Sequence, residues 1–352
     1  MVTNTRLSNN QQGMAAIIVT MVLTIVITLI VLGFAQVTRH NQREALDRQL
    51  STQAYYAAET GINDAYAAIL AGNITNANTQ CNNLTTGGGP LTGKDTLSPD
   101  GSVKYTCVLV DPTPTSIGLS NLSAGSATTE PLIPVGGTAV NSITVTWTKD
   151  PGITFNSASY CTSGIGNFLS KTSWDANCAY ALVQLDVVPA DTISQASLIS
   201  SQQTFYFQPS NTSTSGLVSA VSAHPATITL ANCSAVSCSA SINSGLGAGK
   251  YYVRIHSLYE GISDLAMCVN VAVGATSSPN CNSATTKLSG AQAMIDVTGR
   301  DQDQLRRVQV RVPLTGVNQS NIPSNALEST GSICKLLTVG PNGVPYTTGN
   351  CP

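Results

Sequence analysis

Ten cysteines carry most of the reactive chemistry in this sequence: Cys81, Cys107, Cys161, Cys178, Cys233, Cys238, Cys268, Cys281, Cys334 and Cys351. No two of them make a Cys-x-x-Cys spacing, and only three histidines accompany them, His40, His224 and His256. Structural zinc takes closely spaced Cys and His ligands, so a zinc site is not expected. An even number of cysteines in an oxidising compartment reads instead as a disulfide framework. Ten cysteines admit several hundred complete pairings, and spacing alone selects none of them. Pairing nearest neighbours brackets one short loop each time and gives Cys81–Cys107, Cys161–Cys178, Cys233–Cys238, Cys268–Cys281 and Cys334–Cys351. The alternative is ten reduced, buried cysteines in a cytosolic protein.

Other groups are weaker candidates. Asp296, Asp301 and Asp303 could offer oxygens to Ca²⁺, but the full calcium-loop spacing is absent. Arg300, Arg306, Arg307 and Arg311 could meet nucleic acid. They also fit a strand that turns Val308, Val310 and Val312 inward and Arg307, Gln309 and Arg311 toward water. No nucleophile motif such as Gly-x-Ser-x-Gly lies near a histidine, and nothing points to a Ser-His-Asp arrangement. Sequons at Asn73, Asn83, Asn121, Asn211, Asn232 and Asn318 carry little weight in a chain so rich in Asn, Ser and Thr. The expectation is no enzyme, no catalytic residue, no metal and no cofactor. Charged residues make up 10% of the chain, the net charge is −2 and aromatics are 5%. Neither an electrostatic nor a base-stacking nucleic-acid surface is expected from that balance.

The element that must position all this is at the other end. Met14 to Ala35 contains no charged residue. At about 1.5 Å per helical residue it spans about 33 Å, enough to cross a hydrocarbon core of about 30 Å. Backbone groups in lipid need internal partners, so the segment is predicted to be helical there. Thr20, Thr24 and Thr28 fall on one face. Their hydroxyls can bond back to carbonyls one turn earlier, or the stripe can face a neighbouring helix. Gly33 and Ala35 close the segment. The helical pattern then continues: Leu46, Leu50, Ala54, Ala57 or Ala58, Gly61, Ala65 and Ile69 recur at three- and four-residue steps. Glu44 and Arg48 make a favourable i, i+4 pair, and Gly72-Asn73 reads as a C-terminal stop. One helix over residues 14–72 is predicted, membrane-spanning first and amphipathic after.

A polar leader ending in Gly13, this hydrophobic start and the stretch Arg43-Glu-Ala-Leu-Asp-Arg-Gln-Leu-Ser-Thr-Gln-Ala-Tyr-Tyr-Ala-Ala-Glu59 together resemble the N-terminal region of PilX-like minor type IV pilins. The resemblance covers roughly residues 11 to 70. Ala293–Arg300 and Leu305–Val312 look like the last strand pair of such pilins. The resemblance implies cleavage of a leader, residues 1–13, between Gly13 and Met14. It also implies as partners a prepilin peptidase, other pilin subunits and a membrane assembly platform. Most pilins carry glutamate at the fifth position after the cut, where this chain has Ile18. Some minor pilins that cap a filament also lack it.

Beyond the helix the pattern is β-rich. Residues 73–102 read as loop and Ser102–Val110 as a strand. Asp111–Gly137, with four prolines, reads as an exposed linker. Further strands are predicted at Asn141–Lys149, Ala179–Val188, Thr204–Gln208, Ala226–Leu230, Lys250–Tyr259, Met267–Val273, Gln292–Gly299 and Leu305–Val312. Pro209–Gly216 reads as a second linker, Gly245–Gly249 as a tight turn, and the tail after Pro313 as irregular. No helical pattern alternates with these strands, which excludes a doubly wound nucleotide fold.

The predicted fold is α+β. The long helix packs on an antiparallel sheet made by the last four strands, with an additional β-rich subdomain. The expected regions are 73–208, with an inserted subdomain, and 209–352, with the pilin sheet and a disulfide-closed tail. Arg39, Arg43 and Arg48 follow the apolar segment and only Arg6 precedes it, which read alone would leave the carboxyl side in the cytoplasm. The cysteines and the pilin resemblance place it outside, and that reading prevails. The expected protein is a single-pass subunit of the cytoplasmic membrane that passes into an extracellular pilus, at its initiation or tip, with a possible surface ligand. The rival reading is an adhesin held by an uncleaved signal anchor.

Overall fold

The computed structural model describes residues 11–149, 161, 170–190, 201–210, 218–220, 226–242, 246, 249–271, 281, 284–314, 338–339 and 345–346. In chain order the elements are α1 (Gln11–Leu70), β1 (Val103–Asp111), β2 (Ile117–Leu122), β3 (Ala127–Leu132), β4 (Ser142–Lys149), α2 (Lys171–Asn177), β5 (Leu182–Pro189) and β6 (Gln203–Ser210). They continue with β7 (Val218–Ala220), β8 (Ala226–Cys233), β9 (Ser237–Ile242), β10 (Tyr251–Leu258), β11 (Ile262–Asn270), β12 (Gln292–Asp301), β13 (Gln304–Pro313), β14 (Thr338–Val339) and β15 (Pro345–Tyr346). The class is α+β. The chain forms two compact units, one of residues 1–110 and 295–310, the other of residues 111–294 and 311–352.

The first unit sets α1 against a three-stranded sheet in the order β1-β12-β13. Four strands were expected under the helix, but β10 and β11 belong elsewhere. The buried face of α1 is Ala54, Ala57, Ala58, Gly61, Ile62, Ala65 and Ala68. Small residues there let the backbones approach closely. A Cβ on Gly61 would lie 2.8 Å from Val297 Cγ1 and 2.9 Å from Tyr105 Cγ, and one on Gly299 would run into the carbonyl oxygen of Ala54. Leu46, expected on this stripe, is 57% exposed, because the packed face begins one to two turns later. Tyr105 donates its hydroxyl to Asp64 at 3.1 Å, with burial first and Asp64 second raising its pKa. The loop after α1 is tied to β1 by the Cys81–Cys107 disulfide and by the Asn78–Val110 bridge.

The second unit holds a ten-stranded sheet in the order β2-β11-β4-β9-β8-β6-β5-β10-β3, with β7 alongside β8. The expected boundary at 208/209 falls within this sheet, since strands from both sides of it pair directly, β6 with β8 in parallel. Asp111–Gly137 is not a linker: β2 and β3 lie in it and form the two ends of the sheet. Pro131 is tolerated because an end strand has one unpaired edge. β2 and β3 are joined by the four residues 123–126, which reach at most about 14 Å. Nine strands laid flat at about 4.8 Å would separate them by about 38 Å. The sheet is therefore rolled around a core so that its two ends come close together. Trp147 of β4 stacks on Phe207 of β6 at 6.3 Å in that core and donates its indole N–H to Ala181 O.

Further elements, among them β7, β9 and α2, are absent from the sequence-based expectation. β9, Ser-Cys-Ser-Ala-Ser-Ile, alternates buried and half-buried residues. α2 is capped by Ser170, whose side chain accepts from Ser173 N, and Trp174 stacks on Tyr259 at 4.6 Å. β14 pairs with β15 in the tail that was expected to be irregular. Residues 245, 247 and 248 of the expected tight turn and residues 211–216 of the second linker lie outside the described residues.

Candidate functional site: the N-terminal helix

α1 is 60 residues long, about 90 Å at the helical rise. Its first half contains no glycine or proline from Met14 to Leu32. Thr20 and Thr24 donate to the carbonyls of Ile17 and Met21 at 2.9 and 2.8 Å, and Thr28 and Thr38 to those of Thr24 and Phe34 at 2.7 and 2.8 Å. Each hydroxyl is thereby satisfied within the helix, so the segment presents a hydrocarbon surface with no unpaired side-chain polar group along this Thr series. Every residue from Ile17 to Gln49 is exposed, and an 18-residue window of the helix has a mean hydropathy of 2.9. Ile18 is 57% exposed, and nothing lies within 4 Å of a Cβ placed on Gly33. Gly13 and Met14 lie inside α1, one turn after its start.

The far end is closed by chemistry the sequence announced. Gly72 takes a φ of +74°. Its N–H bonds Ile69 O and that of Asn73 bonds Ala68 O, both at 2.9 Å. This is the paired 5→2 and 6→1 arrangement that a left-handed glycine makes at a helix C-terminus. Thus α1 has two parts of different chemistry: an apolar segment bare on every side, and a small-residue stripe seated on β1 and β12.

Such a two-part helix is the feature to compare with known proteins. Residues 12–63 match the PilX N-terminal family model. The match covers the apolar segment and most of the packed stripe, and stops short of every β-strand. No curated protein and no solved structure matches the chain. The pilin resemblance thus holds over the helix, and a single N-terminal apolar helix of this kind fits a membrane-anchored pilin.

The other sequence candidates are placed as follows. Disulfides join Cys81–Cys107, Cys161–Cys178, Cys233–Cys238 and Cys268–Cys281; Cys334 and Cys351 lie outside the described residues. Asp296 is not available as a calcium ligand, because Arg307 Nε reaches its two oxygens at 2.8 and 3.0 Å and Arg307 also pairs with it through a second nitrogen. No group of three or more His, Cys, Asp or Glu among the described residues is arranged to hold a metal. The other arginines are also engaged within the chain: Arg300 Nε with Gln302 O, Arg306 Nε with Ser51 Oγ, and Arg311 with Ser116 O. His224 lies outside the described residues, and His40 is exposed on α1.

Sequence reasoning missed two polar clusters in the second unit. Asp186, 1% exposed, is held by Arg254 Nε and Nη2 at 3.0 and 2.7 Å, by Thr204 Oγ1 at 2.8 Å and by Gln184 Nε2 at 3.0 Å. His256, next but one to Arg254 on β10, has its pKa lowered first by burial and then by Arg254, with Asp186 opposing. Glu130 and Gln292, 8% and 6% exposed, meet inside the unit. Their members are 68 and 162 residues apart in sequence, so no local spacing could have announced them. Gly299 carried a signal: an isolated glycine inside a strand pattern marks a close approach of backbones.

Proposed function

We propose that this chain is a minor type IV pilin-like subunit. Its apolar helix anchors it in the cytoplasmic membrane as a single span before assembly and then packs among other pilin subunits in an extracellular pilus. The observation that carries the reading is α1 itself: bare and uncharged from Ile17 to Ala35, then seated on a sheet through Ala54–Ala68, with residues 12–63 matching the PilX N-terminal model. A helix that served only a soluble core would bury its most apolar half rather than its alanine stripe. The four disulfides favour an extracytoplasmic position for the three- and ten-stranded sheets.

On this reading a prepilin peptidase removes residues 1–13 by cutting between Gly13 and Met14, and a membrane assembly platform takes up the product. The role is structural and not enzymatic, near the initiation or the tip of the pilus, with adhesion to a surface as a further use of the rolled sheet. Mass spectrometry of the mature N-terminus tests this. A start at Met14 is expected. A start at Gln36, from ordinary cleavage after Gly33-Phe34-Ala35, overturns it. A start at Met1 transfers support to the rival reading, an adhesin held permanently by its signal anchor.

A further inference from the structure

We propose that Glu130 and Gln292 form a proton-controlled latch across the gap between the two ends of the ten-stranded sheet. The gap is a consequence of topology. β2 and β3 are consecutive and joined by the four residues 123–126, yet they stand at opposite ends of the strand order. Each therefore has one edge without a strand partner on that side, and the two edges face each other. The segment from Lys287 to Gln292 runs along this gap as a strap. Leu288 N–H bonds Pro114 O ahead of β2, at 3.0 Å. Ser289 N–H bonds Ile133 O after β3, at 2.8 Å, and Val135 N–H bonds Lys287 O, at 2.9 Å.

Gln292 is the side chain that touches both sides. Its Oε1 accepts the N–H of Gly118 on β2 at 3.0 Å, and its Nε2 donates to Glu130 Oε1 on β3 at 3.4 Å. Glu130 lies opposite Val253 of β10, which is fully buried, so its carboxyl is on the core face. On that face of β10, Tyr251 and Ile255 flank Val253. Tyr251 is the titratable group there, and burial raises its pKa, which keeps it neutral. On the β2 side, Arg311 lies over Gly118 but bonds Ser116 O at 2.6 Å. On the strap, Lys287 meets Val135 through its carbonyl. Burial first and the Gln292 amide second govern the Glu130 carboxyl, and no cation among the described residues offsets its charge.

A carboxyl so placed is retained as the neutral acid until burial is outweighed, and its pKa is pushed up to about 7. Once ionised, it gains most by meeting water. The shortest route to water is the gap beside it, where a single amide bridges two unpaired edges. The Gln292 amide favours the ionised form but burial outweighs it, so deprotonation is relieved by water entering the gap, which parts β2, the strap and β3 while the paired strands stay together. The device would loosen the closing edge of this sheet on the alkaline side of neutrality.

Hydrogen exchange on the full chain in detergent, corrected for intrinsic rates, tests the latch at about pH 5.5 and about pH 8.5. Protection of the amides in residues 117–122, 127–132 and 287–292 is expected to fall roughly tenfold at the higher pH, with β4, β5 and β9 unchanged. In Glu130→Gln, which stays neutral, that difference is expected to vanish. In Gln292→Leu the Gly118 amide is expected to be weakly protected at both values. Equal protection at both pH values in the unaltered chain overturns the proposal, whether or not the variants fold. So does a loss spread evenly over all strands, or one that persists in Glu130→Gln.

Discussion

Two residues decide how tightly parts of this molecule hold, for opposite reasons. Gly299 is needed because there is no room: any Cβ there meets the Ala54 carbonyl oxygen. Backbone on both sides leaves little that can yield, so Gly299→Ala is expected to cost about 3 kcal/mol, at the upper end of overpacking effects. Gly61→Ala, which meets the side chains of Val297 and Tyr105, is expected to cost less because side chains can turn. Thermal unfolding of both variants in detergent checks the order; equal stabilities would show that the helix can lift off the sheet freely. Glu130 is the reverse case, a polar group with too little around it. Burial pushes its folded pKa up to about 7, above the ordinary glutamate value of 4.5, so the folded state binds the proton more tightly. Stability is then fully present below about pH 4.5 and is lost as pH rises through about 7. The loss is on the order of 3 kcal/mol. Unfolding curves across that window should show it in the unaltered chain, and Glu130→Gln should flatten it.

At the scale of elements, the disulfides divide by the loops they close. Cys81–Cys107 spans 26 residues and Cys233–Cys238 only five. The chain-entropy model gives about 3.5 kcal/mol for the first and about 2 kcal/mol for the second. Replacing both cysteines by serine is therefore expected to cost more at Cys81/Cys107, where the bond also ties the loop after α1 to β1, than at the β8–β9 turn. Chemical denaturation of the two double variants measures the difference, and a larger loss at Cys233/Cys238 would overturn the ranking. The same elements show what was legible in the chain. α1 was, to its last turn, because apolar run, small-residue period and Gly72 all agree. β4, β10 and β13 were, because their alternation is written in large residues. β2 and β3 were not. Their Ser, Thr, Asn and Pro are turn formers, and only the place of Pro131 on an end strand makes them compatible with a sheet. β9 was hidden because its inward residues Cys238, Ala240 and Ile242 are mostly small. The three-stranded sheet under α1 was misjudged for a different reason: which strands pair across 190 residues is a matter of topology, and no local pattern encodes it.

At the scale of the whole molecule, the apolar helix meets an unusual constraint at Ile18. In a shaft pilin, the glutamate at that place is thought to meet the free amino terminus of a neighbouring subunit. A carboxylate in hydrocarbon is costly unless paired, which is why such a pair can direct packing. Ile18 is apolar and 57% exposed. With the proposed cut after Gly13, this chain would offer its own amino terminus to a neighbour's carboxylate but would not receive one. A subunit with one of the two complementary groups can begin or cap a stack and cannot repeat within it. The ten-stranded unit adds bulk that dense repetition would have to accommodate at every step. Sheared pili are therefore expected to contain this chain at a small fraction of major-pilin abundance, with immunogold label confined to filament ends. Ile18→Glu restores the missing acceptor and is expected to spread label into the shaft only if charge pairing, rather than bulk, is what excludes it. Label at ends alone in both forms would assign the restriction to the β region. Label along the whole shaft in the unaltered chain would show that the absent carboxylate does not restrict the subunit.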